Sequence, residues 1–116
     1  MKKIIYIIGA TTNVDRLNID AFEAVERFLQ KQGYATVKPH DLFDEWDQNS
    51  LPQNEHMLRR FHHLGKADGV ILLPGWSACS FAKAEHNHAR SLQMQVTQYE
   101  QWLKVKKNLK TVSKVA

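Results

Sequence analysis

The sequence has little of what marks several large classes of protein. It contains one cysteine, Cys79, which excludes an internal disulfide and fits a reducing compartment. Its longest strongly apolar runs cover residues 4–8 and 70–73, whereas a membrane-spanning helix needs roughly 20 apolar residues. The first run is also shorter than the apolar core of about 7–15 residues found in secretion signals. We therefore expect a cytoplasmic protein with no membrane segment.

The basic residues are unevenly distributed along the 116 residues. The formal net charge is +4, but the segment after Gln101 has five lysines and no acidic residue, so residues 1–100 carry a net charge close to −1. A chain of this length can enclose one hydrophobic core. We predict an α/β domain over residues 1–100 and assign residues 101–116 to it as a basic helix or tail. A nearly neutral domain makes binding to nucleic acid an unfavoured interpretation.

Apolar patterning predicts strands that alternate with helices. The predicted strands lie at residues 3–8, 34–37, 68–74 and 95–99. The predicted helices begin at Asn18 or Asp20, at Glu55, after Trp76 and at Glu100. Residues 38–53 should form a long irregular connection. This order indicates a three-layer, flavodoxin- or Rossmann-like α/β fold, with a parallel sheet of four to five strands and helices on both faces.

Two features of this pattern bear on the position of a site. The helix at residues 55–66 should face the sheet with four apolar residues, Met57, Leu58, Phe61 and Leu64. In parallel α/β sheets, ligands bind beyond the carboxyl ends of the strands. Three predicted loops begin there, at Gly9, Pro39 and Pro74. We expect a binding site among these loops.

Glu85 is the most informative residue of the third loop and its helix. Ala82, Glu85, Ala89 and Leu92 recur at a period of about 3.6 residues, which places the carboxylate on the small apolar face of the helix. Burying an unpaired charge costs several kcal/mol, so a carboxylate on that face is paired, protonated or turned toward an open cleft. The alternative is that the stripe is offset by one residue and Glu85 reaches solvent.

The chain resembles the nucleoside 2-deoxyribosyltransferase-like superfamily, in particular a group of small bacterial and phage-associated domains. The resemblance spans most of residues 3–96. Its most specific part is Leu73-Pro74-Gly75-Trp76 followed by a glutamate nine residues after the tryptophan. Weaker parts are Ile5-Tyr6-Ile7-Ile8-Gly9, Phe22, Gly33-Tyr34, Pro39, Ala67-Asp68-Gly69-Val70, Ala82, His86 and Ala89.

The resemblance implies roles for individual residues. Glu85 is the implied nucleophile and Tyr6 the residue that orients it. The candidate ligand-binding residues come from the three loops and the helix that follows: Gly9, Ala10, Thr11, Thr12, Asp41, Gly75, Trp76, Ser77, Cys79, Ser80 and His88. The implied reaction is a retaining displacement at C1′ of a (deoxy)ribosyl group, in which the carboxylate forms a glycosyl intermediate as the base leaves. Relatives are usually homo-oligomers, so we expect one here.

The sequence departs from the related domains at three positions. Phe61 stands where those domains have a carboxylate, and a second acid near the nucleobase is needed to assist departure of the base. Cys79 replaces a serine and Phe81 replaces a glycine at the opening of the helix, where the backbone approaches the ligand. Two hypotheses therefore remain. The chain is a nucleoside or nucleotide N-glycosidase or deoxyribosyltransferase, or it is a non-catalytic nucleotide-binding or sensing module.

Several other residues have a structural and a functional interpretation. The six histidines suggest metal, but neighbours one or two residues apart on a helix do not share a face, so we predict no metal site and no cofactor. His88 lies three residues after Glu85 and is a candidate ion-pair partner for it. Trp76 either stacks on a base or packs in the core. The segment around Trp46 is a candidate lid or contact between subunits.

Overall fold

The computed structural model describes residues 2–12 and 14–102, which form alternating strands and helices. The strands are β1 (Ile4–Ile8), β2 (Ala35–Val37), β3 (Gly69–Leu72) and β4 (Val96–Gln98). The α-helices are α1 (Ile19–Lys31), α2 (Glu45–Ser50), α3 (Gln53–Gly65) and α4 (Ser80–Ser91). Three short 3-10 turns lie at Asp15–Asn18, Pro39–Leu42 and Trp76–Ala78. No helix in the described part of the chain is long and apolar enough to cross a membrane.

The four strands form one parallel sheet in the order β2-β1-β3-β4. Tyr6 pairs with Val70 and Ile7 with Ile71, so the two most apolar strands are adjacent and parallel, as predicted. The chain moves from β1 outward to β2, then crosses back to β3 on the other side of β1. The order of the strands therefore reverses between β1 and β3. Ligands in open α/β sheets bind at such a switch point, beyond the carboxyl ends of the strands.

Helices cover both faces of the sheet, which confirms the predicted three-layer Rossmann-like architecture. Alternation along the central strands separates the core into two clusters. One cluster joins Tyr6, Ile8, Val70 and Leu72 to Leu64 of α3 and to Ala82 and Ala89 of α4. The other joins Ile5, Ile7, Ile71 and Leu73 to Phe22, Val25 and Leu29 of α1. The site lies on the first face, where α3 and α4 meet β1.

The predicted irregular connection is wrong in part. Residues 38–53 contain the turn Pro39–Leu42 and the helix α2, and the α3 helix begins at Gln53 rather than Glu55. Asp44 caps α2, because its side chain accepts a hydrogen bond from the Asp47 amide at 2.8 Å. This local capping interaction stabilises α2 although its residues show no apolar periodicity.

The predicted inner face of α3 is also wrong in part. Leu64 is fully buried, but Leu58 is 65% exposed and the second buried residue of α3 is Arg60. The face that meets the sheet therefore carries a cation where an apolar residue was expected.

The end of the described chain packs on the α1 face. Residues 99–102 are helical, and Trp102 lies edge-on to Tyr34 with 5.5 Å between ring centroids. The predicted helix of residues 100–109 thus begins one residue early. Most of it, and nearly all of the basic segment 101–116, lies outside the described residues.

Candidate functional site

Three elements bring a tyrosine, a glutamate and an arginine together at the switch point. Tyr6 comes from β1, Glu85 from the inner stripe of α4, and Arg60 from the inner face of α3. The Tyr6 hydroxyl donates to Glu85 Oε2, and Arg60 Nη1 donates to Glu85 Oε1 at 3.2 Å. Arg60 Nη2 also donates to Thr11 Oγ1, in the loop after β1, at 3.3 Å. We call these four residues the buried polar cluster.

Glu85 is fully buried, with 0% of its surface exposed. Of the two sequence-based alternatives, the structure shows the buried one, since the stripe Ala82-Glu85-Ala89 packs on the sheet. Only Leu92, beyond the end of α4, leaves this stripe and is exposed. The carboxylate is paired with Arg60 and accepts a hydrogen bond from Tyr6, which is how a buried charge is tolerated.

Burial perturbs the titration of this cluster. Desolvation raises the pKa of Glu85, while the charge of Arg60 and the hydrogen bonds from Tyr6 and Arg60 oppose that rise. Burial and the neighbouring Glu85 charge raise the pKa of Tyr6 well above its usual value. Tyr6 is therefore a neutral donor to Glu85 at every physiological pH.

The Arg60 side chain is buried, with 6% of the residue exposed. Its central carbon lies 4.7 Å from the centre of the Phe81 ring and 5.9 Å from that of Phe43, within the range of cation–π contacts. Its Nη1 and Nη2 atoms are hydrogen-bonded, but Nε is buried and has no partner among the described residues. The Nε atom of this buried cation thus donates to none of the described residues.

A cavity with a volume of about 290 Å³ is lined by Arg60 but not by Glu85. This is near the lower end of the ~300–1,000 Å³ that small-molecule sites enclose. None of the described side chains that line it is a carboxylate. The lining combines polar groups with apolar and aromatic side chains: Thr11, Thr12, Leu17, Pro39, His40, Phe43, Gln48, Leu51, Gln53, His56, Arg60 and Phe81. We call it the Arg60 cavity.

The α2 segment forms the outer wall of the Arg60 cavity through Gln48 and Leu51. It is held to α3 by Arg59, which donates to Asp47 Oδ2 at 3.0 Å and to the Leu42 carbonyl at 2.9 Å. The pKa of Asp47 is lowered, mainly by its hydrogen bond with Arg59. The two adjacent arginines of α3 therefore differ in role. Arg59 holds the α2 segment in place, whereas the side chain of Arg60 lines the cavity.

His40 lines the same cavity in a defined tautomer. Its Nε2 is 2.7 Å from the Leu17 carbonyl, which only accepts, so Nε2 carries the hydrogen. Burial lowers the pKa of His40, and nearby Lys38 and Arg60 add to that effect. The neutral ring leaves Nδ1 as an acceptor, and this atom too has no partner among the described residues.

Cys79 lies at the start of α4 with its sulfur turned inward, and 1% of it is exposed. Burial alone would raise its pKa, but the Thr12 hydroxyl donates to Sγ at 3.4 Å, and nearby backbone amides add further stabilisation of the thiolate. Together these groups lower the pKa to about 7. Cys79 thus links the loop after β1 to the α4 helix.

Only part of the predicted ligand-binding set lines the Arg60 cavity. Thr11 and Thr12 do so, whereas Ala10 is buried in the core beside them. Gly9 is required for packing, because an added Cβ would lie 2.7 Å from Leu73 Cδ1. The lack of a side chain at Gly9 therefore allows Leu73 to pack closely against the end of β1, rather than allowing a ligand to approach the backbone.

The other predicted loop residues lie outside the Arg60 cavity. Gly75 and Ser77 are exposed in the loop after β3, and Ser80 is exposed at the start of α4. Asp41 accepts from Lys38 Nζ at 2.8 Å and is engaged in that ion pair. Trp76 lines a separate cavity of about 570 Å³ on the far side of α4, where its ring lies 4.3 Å from that of His86.

The predicted pairing of His88 with Glu85 is wrong. The His88 ring stacks on Phe61 with 4.3 Å between ring centroids and an interplanar angle of 17°. Both side chains are only half-buried, so this contact lies at the outer side of the α3–α4 pair. Phe61 therefore does not block access to Glu85; Arg60 and Tyr6 enclose it instead.

Arg60 is the residue that sequence reasoning missed, together with His40, Phe43 and His56 of the cavity lining. A signal for Arg60 was present, since His56, Arg60 and Leu64 are spaced four residues apart and share one face of α3. A buried carboxylate on α4 requires a cation nearby, and α3 is the neighbouring helix. No comparable signal marks the wall formed by α2. Within the described residues, no group of histidine, cysteine and acidic side chains is arranged to hold a metal ion.

The fold and this cluster define a small Rossmann-like α/β domain with a buried Tyr–Glu–Arg arrangement at the switch point of its sheet. The chain belongs to the family described as a domain of unknown function, DUF4406, whose model matches residues 3–98. A search of curated proteins found no match to the chain.

Proposed function

We propose that the chain is a non-catalytic binding module for a nucleoside or nucleotide, with the ligand in the Arg60 cavity. The observation that carries this proposal is the complete burial of Glu85 behind Arg60. A nucleophilic carboxylate must reach the anomeric carbon of its substrate. Glu85 lines neither that cavity nor any exposed surface, and both of its oxygens are hydrogen-bonded.

The ligand class rests on the resemblance to the nucleoside 2-deoxyribosyltransferase-like superfamily and on the character of the cavity. Aromatic and apolar walls suit a flat ring, and Thr11, Thr12, Gln48 and Gln53 offer hydrogen-bonding groups. In this proposal the buried polar cluster is a structural remnant of a catalytic arrangement. It fixes the loop after β1 and the floor of the cavity.

The test combines a binding assay with an activity assay. The protein is incubated with purine and pyrimidine (deoxy)nucleosides and their 5′-monophosphates, and thermal stabilisation and release of free base are measured. We expect at least one ligand to raise the melting temperature without base release, because a ligand that binds only the native state stabilises it by mass action. Stabilisation by none of them, with the protein folded, would contradict the proposal.

A second candidate function is the N-glycosidase or deoxyribosyltransferase activity itself. The hydrogen bond from Tyr6 to Glu85 favours it, since the resemblance assigns the catalytic roles to this pair. If this function is correct, wild-type protein releases base and Glu85→Gln abolishes release. Base release that persists in Glu85→Gln would exclude Glu85 as nucleophile.

We also propose, from the resemblance, that the protein is a homo-oligomer in the cytoplasm. Trp46, which is 69% exposed on α2, is a candidate contact between subunits. Light scattering of the purified protein measures its mass and so tests whether it is an oligomer. The same measurement on Trp46→Ser tests whether Trp46 contributes to the contact between subunits.

A further inference from the structure

We propose that the ligand of the Arg60 cavity carries a phosphate group, and that this group lies against the Arg60 guanidinium and the Thr11 hydroxyl. This inference rests on the proposed function and specifies it, because it selects a nucleotide over a nucleoside.

The first observation is unused donor capacity in a buried cation. A guanidinium has five N–H donors and binds phosphate and carboxylate oxygens in pairs. The protein uses Nη1 for Glu85 and Nη2 for Thr11, while Nε is buried without a partner. A buried donor without a partner is destabilising, so a ligand oxygen or a water molecule that accepts a hydrogen bond from Nε would stabilise the site.

The second observation concerns Thr11. Its Oγ1 accepts a hydrogen bond from Arg60, so its own O–H remains available to donate. Thr11 is 7% exposed and lines the cavity beside Arg60. The floor of the cavity therefore offers a cation and a hydroxyl donor at one place.

The third observation is the charge of the lining. Among the described side chains, it contains Arg60 and two histidines but no carboxylate. An anion entering the cavity thus meets no like charge from these side chains, and the Glu85 carboxylate, which pairs with Arg60, is not part of the lining. Ser77 and Ser80, the two serines among the predicted ligand-binding residues, are exposed outside this cavity and take no part in the proposed phosphate contact.

The decisive variant is Glu85→Gln, which keeps the size of the side chain and removes its charge. Arg60 then lacks its counter-charge, and an anionic ligand supplies one. We expect Glu85→Gln to bind a nucleoside 5′-monophosphate more tightly than wild type, by about tenfold, with the affinity for the matching nucleoside unchanged. The control is Glu55→Gln on the exposed side of α3, which changes the net charge equally and should alter neither affinity.

The complementary variant is the double substitution Arg60→Met with Glu85→Gln, which removes both charges and avoids a buried unpaired carboxylate. We expect it to lose at least about tenfold in affinity for the monophosphate and to bind both ligands equally. Arg27→Gln, an exposed arginine of α1, is the matched control. Circular dichroism before each titration establishes that the variants are folded.

Isothermal titration of wild type and variants with nucleosides, their 5′-monophosphates and inorganic phosphate distinguishes the outcomes. A preference for the monophosphate that disappears in the double variant, with competition by inorganic phosphate, supports the inference. Equal affinity of wild type for nucleoside and monophosphate overturns it but leaves the proposed function intact. Binding of neither ligand to folded protein overturns both.

Discussion

Replacing Arg60 by methionine tests the energetic role of the buried polar cluster. Methionine fills similar space but leaves the fully buried Glu85 without a cation. Removing one partner of a buried ion pair costs about 3–5 kcal/mol, because the other charge is left uncompensated. Since a domain is stable by only about 5–15 kcal/mol, this is a large part of the free energy of unfolding. Urea denaturation of wild type and Arg60→Met measures it.

A double-mutant cycle with Glu85→Gln separates the ion pair from simple loss of packing. Each single variant leaves one buried charge unpaired, whereas the double variant leaves none. We expect the double variant to be more stable than the sum of the single losses predicts, with a coupling energy of at least about 2 kcal/mol. Losses that add within about 0.5 kcal/mol would refute the view that Arg60 compensates the Glu85 charge.

The loss caused by Arg60→Met should also depend on pH. Burial already raises the pKa of Glu85, and removal of Arg60 removes the main opposing charge, so the pKa rises further. A carboxyl whose folded pKa exceeds its unfolded pKa stabilises the native state at low pH, and this stability is lost as pH rises between the two values. Arg60→Met should therefore be more destabilised at about pH 8 than at about pH 5, relative to wild type at each pH. A loss independent of pH would mean that Arg60 does not influence the pKa of Glu85.

Two further predictions concern the loop after β1. Gly9→Ala should lower the free energy of unfolding, measured by urea denaturation, by about 1–3 kcal/mol. The reason is that the new Cβ would lie 2.7 Å from Leu73 Cδ1 and 2.9 Å from Phe22 Cζ. The control is Gly65→Ala, which should not destabilise the protein because its Cβ meets nothing closer than 3.8 Å. The Cys79 thiolate, followed by its ultraviolet absorbance, should titrate with a midpoint of about 7. Thr12→Val should raise that midpoint because the hydroxyl donor is lost, and an unchanged midpoint would show that Thr12 does not set it.

The sequence predicted the sheet because its signals are local and unambiguous. The runs around Tyr6 and Ile71 are apolar throughout, and such runs belong to central parallel strands. The spacing of the alanines on α4 left Glu85 either on the inner face or offset toward solvent, and the structure shows the inner face. Its environment could not be predicted, since a periodic pattern locates a side chain on a face but does not identify its partner on another helix.

The errors in the α3 region have one physical cause. The inner face was assigned from apolar residues alone, so Leu58 was placed inside, whereas Leu58 is exposed and Arg60 is buried. The buried Glu85 carboxylate needs a cation beside it, so α3 turns Arg60 toward the sheet and leaves Leu58 exposed. The α2 helix was missed for another reason, because a cap at Asp44 stabilises six residues with no apolar periodicity.

The two edges of the sheet limit how copies of the protein can associate. Both edge strands, Ala35–Val37 and Val96–Gln98, are three residues long, and Pro39 follows the first after one residue. So short an edge presents few free backbone groups, and proline offers no amide for further pairing. Extension of the sheet from one copy to the next is thereby disfavoured. An oligomer of this chain should accordingly be built through helical surfaces rather than by continuation of the sheet.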